Sequence, residues 1–259
     1  MKKIIFFSAI IAFSFSCNQK KQEYPKNADA RADNLKGNVQ ETVATDFKAD
    51  SSGKIGEQDS CCVATTKYDE RGYATEYDNN DKSGENKEMT TYTRFDNGAM
   101  KDLKNTKNGN QVSSITILTD SAGNYTMAKE YDSANKLKFY YTDISQNDYG
   151  QLTGMKKHNA DSSLSGSMIA NFNNSIFTGN EAKDSVGKVV FSSSVKLDDK
   201  NNVVENDSKN VMKDSTESKV VKYKYDSSDD QGNWTQRTEF DENGKPVKIT
   251  KREITYYKK

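Results

Sequence analysis

Nucleophilic, acid–base or metal chemistry in this chain would have to come from one histidine, three cysteines and 38 Asp and Glu residues. His158 lies in Lys156-Lys157-His158-Asn159-Ala160-Asp161. A Ser-His-Asp relay would need it, because the imidazole must take the serine proton and return it near neutral pH. No GxSxG elbow accompanies it, the surrounding segment is irregular, and it reads as an exposed loop histidine. Cys61 and Cys62 are adjacent, and neighbouring side chains on a strand point to opposite faces. One thiol inside and one outside is expected, with a vicinal disulfide as the alternative in an oxidising compartment. Without CxxC spacing or a nearby histidine they make no zinc site. Asp78-Asn79-Asn80-Asp81-Lys82-Ser83-Gly84-Glu85 has the composition of a calcium loop, but lysine at the fifth place and glycine at the seventh break EF-hand spacing. Neither a glycine-rich phosphate loop nor an HExxH pair occurs. The expectation is of no catalytic residue, no metal and no cofactor.

Most carboxylates have a different task. The phrases FKADSSGKI (47–55), KYDERGYAT (67–75), LTDSAGNYT (118–126), EYDSANKLK (130–138), AKDSVGKVV (182–190), KLDDKNNVV (196–204) and EFDENGKPV (239–247) repeat one grammar. A strand-forming residue precedes Asp, small polar residues follow, then Gly or Asn, then strand character again. Asp accepts a hydrogen bond from the backbone two residues on, and Gly or Asn takes the positive φ that closes a hairpin. RFDNGAM (94–100) and KYDSSDDQGNW (224–234) belong to the same series, with their turns at Asp96 and Asp226. Flanking runs such as Lys219-Val220-Val221-Lys222-Tyr223-Lys224-Tyr225 are β-branched and aromatic. Turn aspartates recur at one strand plus one turn, or at twice that spacing. The pattern predicts an all-β chain: a long antiparallel meander of repeated hairpins forming a twisted, curled sheet. Whether the sheet closes is open, and 143–180 is its weakest stretch.

Only 33% of residues are hydrophobic, yet 10% are aromatic, and net charge is near zero. Those aromatics argue for an ordered protein with a thin core, in which Tyr and Phe rings cover the concave side of the sheet. The sole tryptophan, Trp234, with Tyr223 and Tyr225, forms the candidate stacking strip for sugars or peptides. The charge balance points to no nucleic-acid partner.

At the N-terminus, Met1-Lys2-Lys3, the apolar run from Ile4 to Phe15 and Ser16-Cys17 have the form of a secretory signal peptide over 1–16. Phe13-Ser14-Phe15-Ser16-Cys17 resembles a bacterial lipobox, which makes Cys17 the lipid acceptor. The polar stretch 17–33 then reads as a lipidated tether, and 34–259 as the β-repeat domain. The basic Lys20-Lys21 behind Cys17 favours retention on the periplasmic side of the outer membrane.

The pattern at Tyr68-Asp69-Glu70-Arg71-Gly72-Tyr73, and more loosely from Tyr225-Asp226 to Gly232-Asn233-Trp234, resembles the YD repeat of RHS-type proteins. The segments Asn34-Leu35-Lys36-Gly37-Asn38-Val39, GNWTQRTEFDENGK and Arg252-Glu253-Ile254-Thr255-Tyr256-Tyr257 look like those of uncharacterised bacterial lipoproteins with such repeats. The resemblance implies a coiled β-sheet and, from some relatives, carbohydrate binding; this chain is too short for the closed RHS shell. Asp120-Ser121-Ala122, Asp132-Ser133-Ala134, Asp184-Ser185-Val186 and Asp214-Ser215-Thr216 resemble an O-glycosylation acceptor motif of exported bacterial proteins. Ser121, Ser133, Ser185 and Ser215 are thus candidate modification sites. The expectation is a membrane-anchored envelope lipoprotein acting as a non-enzymatic binding or scaffold module, with a glycan or envelope protein as partner. A glycan-active hydrolase using turn carboxylates is the competing class.

Overall fold

The computed structural model describes residues 23–50, 52–81, 83, 87–212 and 215–258, with the side chains of Cys61 and Cys62 outside that set. The signal peptide, Cys17 and the arrangement of the paired thiols therefore lie outside the described residues. A short helix, α1 (Asp29–Ala32), precedes sixteen strands. The first eight are β1 (Val39–Ala49), β2 (Ile55–Tyr68), β3 (Ala74–Asn80), β4 (Lys87–Arg94), β5 (Met100–Lys107), β6 (Asn110–Thr119), β7 (Tyr125–Asp132) and β8 (Leu137–Gln146). The rest are β9 (Leu152–Asn159), β10 (Leu164–Asn173), β11 (Ile176–Asp184), β12 (Val189–Leu197), β13 (Val203–Val211), β14 (Thr216–Ser228), β15 (Trp234–Phe240) and β16 (Pro246–Tyr256).

Each strand pairs antiparallel with its sequence neighbours, and β1 pairs with β16 from Glu41↔Thr255 to Lys48↔Lys248. The predicted meander is present, and its curl goes to completion as a closed barrel, which leaves no sheet edge to aggregate.

The hairpins follow the grammar of the sequence. In the β2–β3 turn, Asp69 donates its amide to Tyr73 O, and Gly72 N–H returns to Asp69 O at 2.8 Å. Asp69 Oδ1 accepts the amides of Arg71 and Tyr73, both at 2.9 Å. The fourth residue is left-handed, Gly72 with φ 82° here and Asn135 with φ 58° in the β7–β8 turn. A register shift follows directly in β2–β3 and β7–β8, the signature of a type I turn closed by a bulge. Two turn assignments change. Asp226 lies within β14 and accepts Thr238 Oγ1 at 2.6 Å, while Asp229 makes the turn. In the β4–β5 turn Phe95 takes the first place rather than Asp96, and Asn97 Oδ1 accepts the Ala99 amide. The irregular stretch 143–180 keeps the fold by putting Asn147 and Asn159 where other turns use Asp. His158 is on β9, not on a loop; its ring stacks on Tyr140 at 4.8 Å, and Nε2 is 3.0 Å from Thr142 Oγ1.

Side chains opposite one another across a ladder share a face, so the registers trace the inner and outer walls around the barrel. Inward lie Tyr92, Leu103, Ile115, Phe139, Tyr141 and Phe191. Outward lie Lys67, Lys104, Lys129, Lys183, Lys196, Lys209 and Lys222, two of them in cross-strand ion pairs, Lys67–Glu76 and Lys196–Glu205, each 2.7 Å. Many rings thus line the concave side, but Phe47, Tyr131 and Tyr140 lie on the convex wall among its charged residues. A membrane-spanning barrel has the opposite polarity, and each lysine on a lipid-facing wall would cost about 2–4 kcal/mol at the bilayer midplane.

The densest packing is at one end. Residues 23–38 run across the mouth bounded by the turns that follow the even-numbered strands. Tyr24, Ala28, Ala30 and Leu35 pack there with Val39, Tyr68 and Tyr73. Ala30 N–H donates to Gly72 O at 2.9 Å, Asn34 Nδ2 to Lys200 O at 2.9 Å, and Lys36 N–H to Asn233 Oδ1 at 2.8 Å. The span expected to be free tether thus ends earlier: Tyr24 to Asp33 belong to the folded body as a plug. Their polar composition hid this, since the plug buries only a few apolar side chains and adds hydrogen bonds to the turns.

Candidate functional site

Below the plug, the inner wall encloses a cavity of about 430 Å³. Trp234 opens β15 immediately after the Asn233 turn, so the hairpin fixes where its indole enters the lumen. Tyr223 and Tyr225 alternate along β14 on the same inner face, and the Tyr225 ring lies 5.8 Å from Trp234. The three expected stacking residues do come together. Trp234 and Tyr223, however, each carry a guanidinium over the ring. The Arg252 guanidinium lies 3.7 Å from the Trp234 ring centre, and that of Arg237 lies 4.9 Å from Trp234 and 4.7 Å from Tyr223. A guanidinium held over a ring is attracted by the ring's π-cloud without giving up its N–H donors. Arg252 Nε donates to Trp234 O at 3.0 Å; Arg237 Nε is buried with no partner.

Among the described residues neither arginine forms an ion pair. Burial brings Arg252 down to about 10 from its ordinary value. The nearby acids are otherwise engaged. Asp46 accepts Thr250 Oγ1 at 2.6 Å and pairs with Lys248 at 3.2 Å, and Lys248 also reaches Glu239 at 3.3 Å. Asp33, on the plug, accepts the Tyr68 hydroxyl at 2.7 Å; burial pushes its carboxyl up to about 6 and the Tyr68 phenol upward as well.

That raised carboxyl yields a pH prediction. Asp33 holds its proton more tightly folded than unfolded, so its contribution is fully present below the unfolded value near 4 and is lost as pH rises through about 6. Acidifying from pH 7 to 5 should stabilise the protein by about 1 kcal/mol. The exposed carboxylates held low, such as Asp120 and Asp161, titrate below that window. Urea midpoints at the two pH values check this, and Asp33→Asn should remove most of the difference, the buried Asp29 carboxyl being raised in the same direction; an unchanged difference in the variant refutes it.

Sequence reasoning missed Arg237, Arg252 and Asp33. One signal was present: only five of the 38 basic residues are arginine. All five lie at the plugged end against rings, plug or turns, Arg31 on Tyr24 O, Arg71 and Arg94 over Tyr73, and Arg237 and Arg252 on Trp234. The four candidate glycosylation serines are dispersed: Ser133, Ser185 and Ser215 are exposed on turns at the unplugged end and Ser121 on a turn at the plugged end. In the first three motifs the Asp already binds the third residue's amide, as Asp120 Oδ1 does Ala122 N–H at 2.9 Å; Asp214 lies outside the described residues. Among the described residues no cluster of three or more metal-ligating side chains occurs.

Comparison with known proteins bears on the fold. Neither a protein-family model nor a curated relative matches the chain. The crystal structure of a porin-like protein from Bacteroides uniformis is similar over 84% of this chain and 96% of that one, with TM-score 0.53 and 13% identity. A porin-like protein from Bacteroides vulgatus covers 85% and 98% with TM-score 0.37 and 11% identity. The TcdB2-TccC3 complex matches 80% of this chain and 13% of its own, with TM-score 0.30 and 11% identity. The first of these likenesses shows a shared closed antiparallel β-barrel.

Proposed function

We propose that this chain is a non-enzymatic binding lipoprotein of the bacterial cell envelope. It is a water-facing β-barrel held by a lipid on Cys17, probing the periplasm from the outer membrane with a plugged, ligand-sized lumen. The carrying observation is polarity: lysines and their acid partners cover the outer wall while rings and arginines line the inside. Such a barrel has no lipid-facing band and needs an anchor to stay at a membrane. The plug begins at Tyr24, with six residues between it and Cys17, a short leash that keeps the plugged end toward the bilayer. The competing hydrolase reading loses its acids to structure, since turn carboxylates such as Asp69, Asp120 and Asp184 are spent on backbone amides at separate points around the two rims.

Two measurements test the proposal together. Fatty-acid labelling and membrane fractionation should show wild type labelled and sedimenting, and Cys17→Ala unlabelled and soluble. In planar bilayers the purified protein should give no conductance steps. Equal labelling of the variant removes the anchor, and stepwise conductance removes the water-facing barrel.

A further inference from the structure

We infer that the Arg237–Arg252 cavity is a binding site for a small acidic sugar, whose carboxylate sits on the N–H groups of the two guanidiniums held over the rings. The inference rests on the binding-protein reading above and supplies its ligand class.

Three observations converge. First, the guanidiniums are fixed by rings rather than by acids, so their donors are preorganised and not neutralised in place. Arg237 Nε is a buried donor without an acceptor, a state that is unfavourable unless something arrives to accept from it. A planar carboxylate matches a guanidinium fork, which a neutral sugar hydroxyl does not. Second, the remaining charge in the cavity is self-contained: Asp46 is held by Lys248, and Asp33 by the Tyr68 hydroxyl. Neither acid forms an ion pair with Arg237 or Arg252; Asp33 and Asp229 act on Arg252 only at longer range. Third, the rest of the lining is mixed: Thr42 and Thr66 offer hydroxyls beside Ala44, Ala64, Ile176 and Val203, a surface suited to a sugar ring with polar edges and apolar faces. The volume of about 430 Å³ is in the range of small-ligand pockets. Access lies beside the plug, where a mouth groove of about 890 Å³ shares Asn34, Leu35, Ile176 and Asn201 with the cavity.

The chain supplies its own probe, since Trp234 is its only tryptophan and Arg252 rests on it. The lipidated protein in neutral detergent is titrated with glucuronate, glucose, glucose 6-phosphate and inorganic phosphate, reading indole emission. Glucuronate should change the emission saturably in the micromolar to low-millimolar range, about 1 mM or tighter, and glucose should not. Arg237→Gln should weaken glucuronate binding at least about tenfold with an unchanged circular dichroism spectrum, and Arg237→Lys should fall between. Glucose matching glucuronate, or no response to glucuronate, overturns the inference. A response to inorganic phosphate as strong as to both sugar acids overturns its sugar part. Should Arg237→Gln fail to fold, the wild-type titration decides alone. A silent titration leaves the anchored, non-conducting barrel standing, whereas bilayer conductance would remove that reading whatever the titration shows.

Discussion

Gly179→Ala should destabilise the barrel by about 3 kcal/mol or more, the largest loss for one added methyl group. Gly179 sits in β11 with φ 148°, a conformation that L side chains rarely adopt. A Cβ there would lie 2.3 Å from Ser193 O and 3.0 Å from Ser194 Cα, both backbone atoms of β12. Relief would require β12 to move away, which breaks the ladder at Gly179↔Ser194. Two controls separate the causes. Gly187 has φ 85° with nothing within 4 Å of its Cβ position, so Gly187→Ala carries only the left-handed penalty of about 1–2 kcal/mol. Gly166 has no such dihedral, yet its Cβ would lie 2.3 Å from Lys183 O, so Gly166→Ala isolates the close approach. Urea unfolding midpoints should rank Gly179 worst and Gly187 mildest. Equal losses at Gly179 and Gly187 would mean that strand proximity is not what the glycine secures.

Hairpin architecture was legible because this fold writes its turns locally. Asp followed three residues later by Gly or Asn carries the whole hydrogen-bond set of the turn, so Asp69, Asp120, Asp184 and Asp241 could be placed without tertiary information. Errors arose where that local code is degenerate. Between Asp226 and Asp229 only the count to Gly232 decides, since the left-handed residue must stand fourth. The two-residue Asn108-Gly109 turn joining β5 and β6, with φ 50° and 79°, was a readable Asn-Gly signal outside the repeat phrase. Closure was not legible, because pairing of β1 with β16 depends on strand number and stagger summed around the barrel. The same holds for the site. Trp234, Tyr223 and Tyr225 were visible as rings, but the arginines that occupy their faces come from a different register on β15 and from β16, and Asp33 comes from the plug.

Holding that plug in place should depend most on one ion pair, and Arg94→Met should loosen it by about 2–3 kcal/mol. Arg94 is only 11% exposed; it reaches Asp29 Oδ2 on α1, donates to Gly98 O at 3.0 Å and lies 5.0 Å from the Tyr73 ring centre. Asp29 also accepts the Ala74 amide at 2.6 Å, and burial already pushes its carboxyl upward. Removing the guanidinium leaves that acid with one donor. Its remaining exposure of 34% lets water moderate the loss, which keeps the figure below the range for fully buried pairs. Arg94→Met with Asp29→Asn should regain most of it, because a neutral pair has no stranded charge. The coupling energy should exceed about 1 kcal/mol, against a few tenths for independent sites. Tryptic cleavage after Arg31 and Lys36 gives the local readout, accelerated in each single variant and near wild type in the double. Trp234 supplies a distant one: it lies on β15 while Arg94 ends β4, yet both are sheltered by the same plug segment. Acrylamide quenching of Trp234 should therefore rise in Arg94→Met and fall back in the double variant. Rapid cleavage with unaltered quenching would show the plug giving way over Arg94 alone and not as a single lid over the arginine cavity.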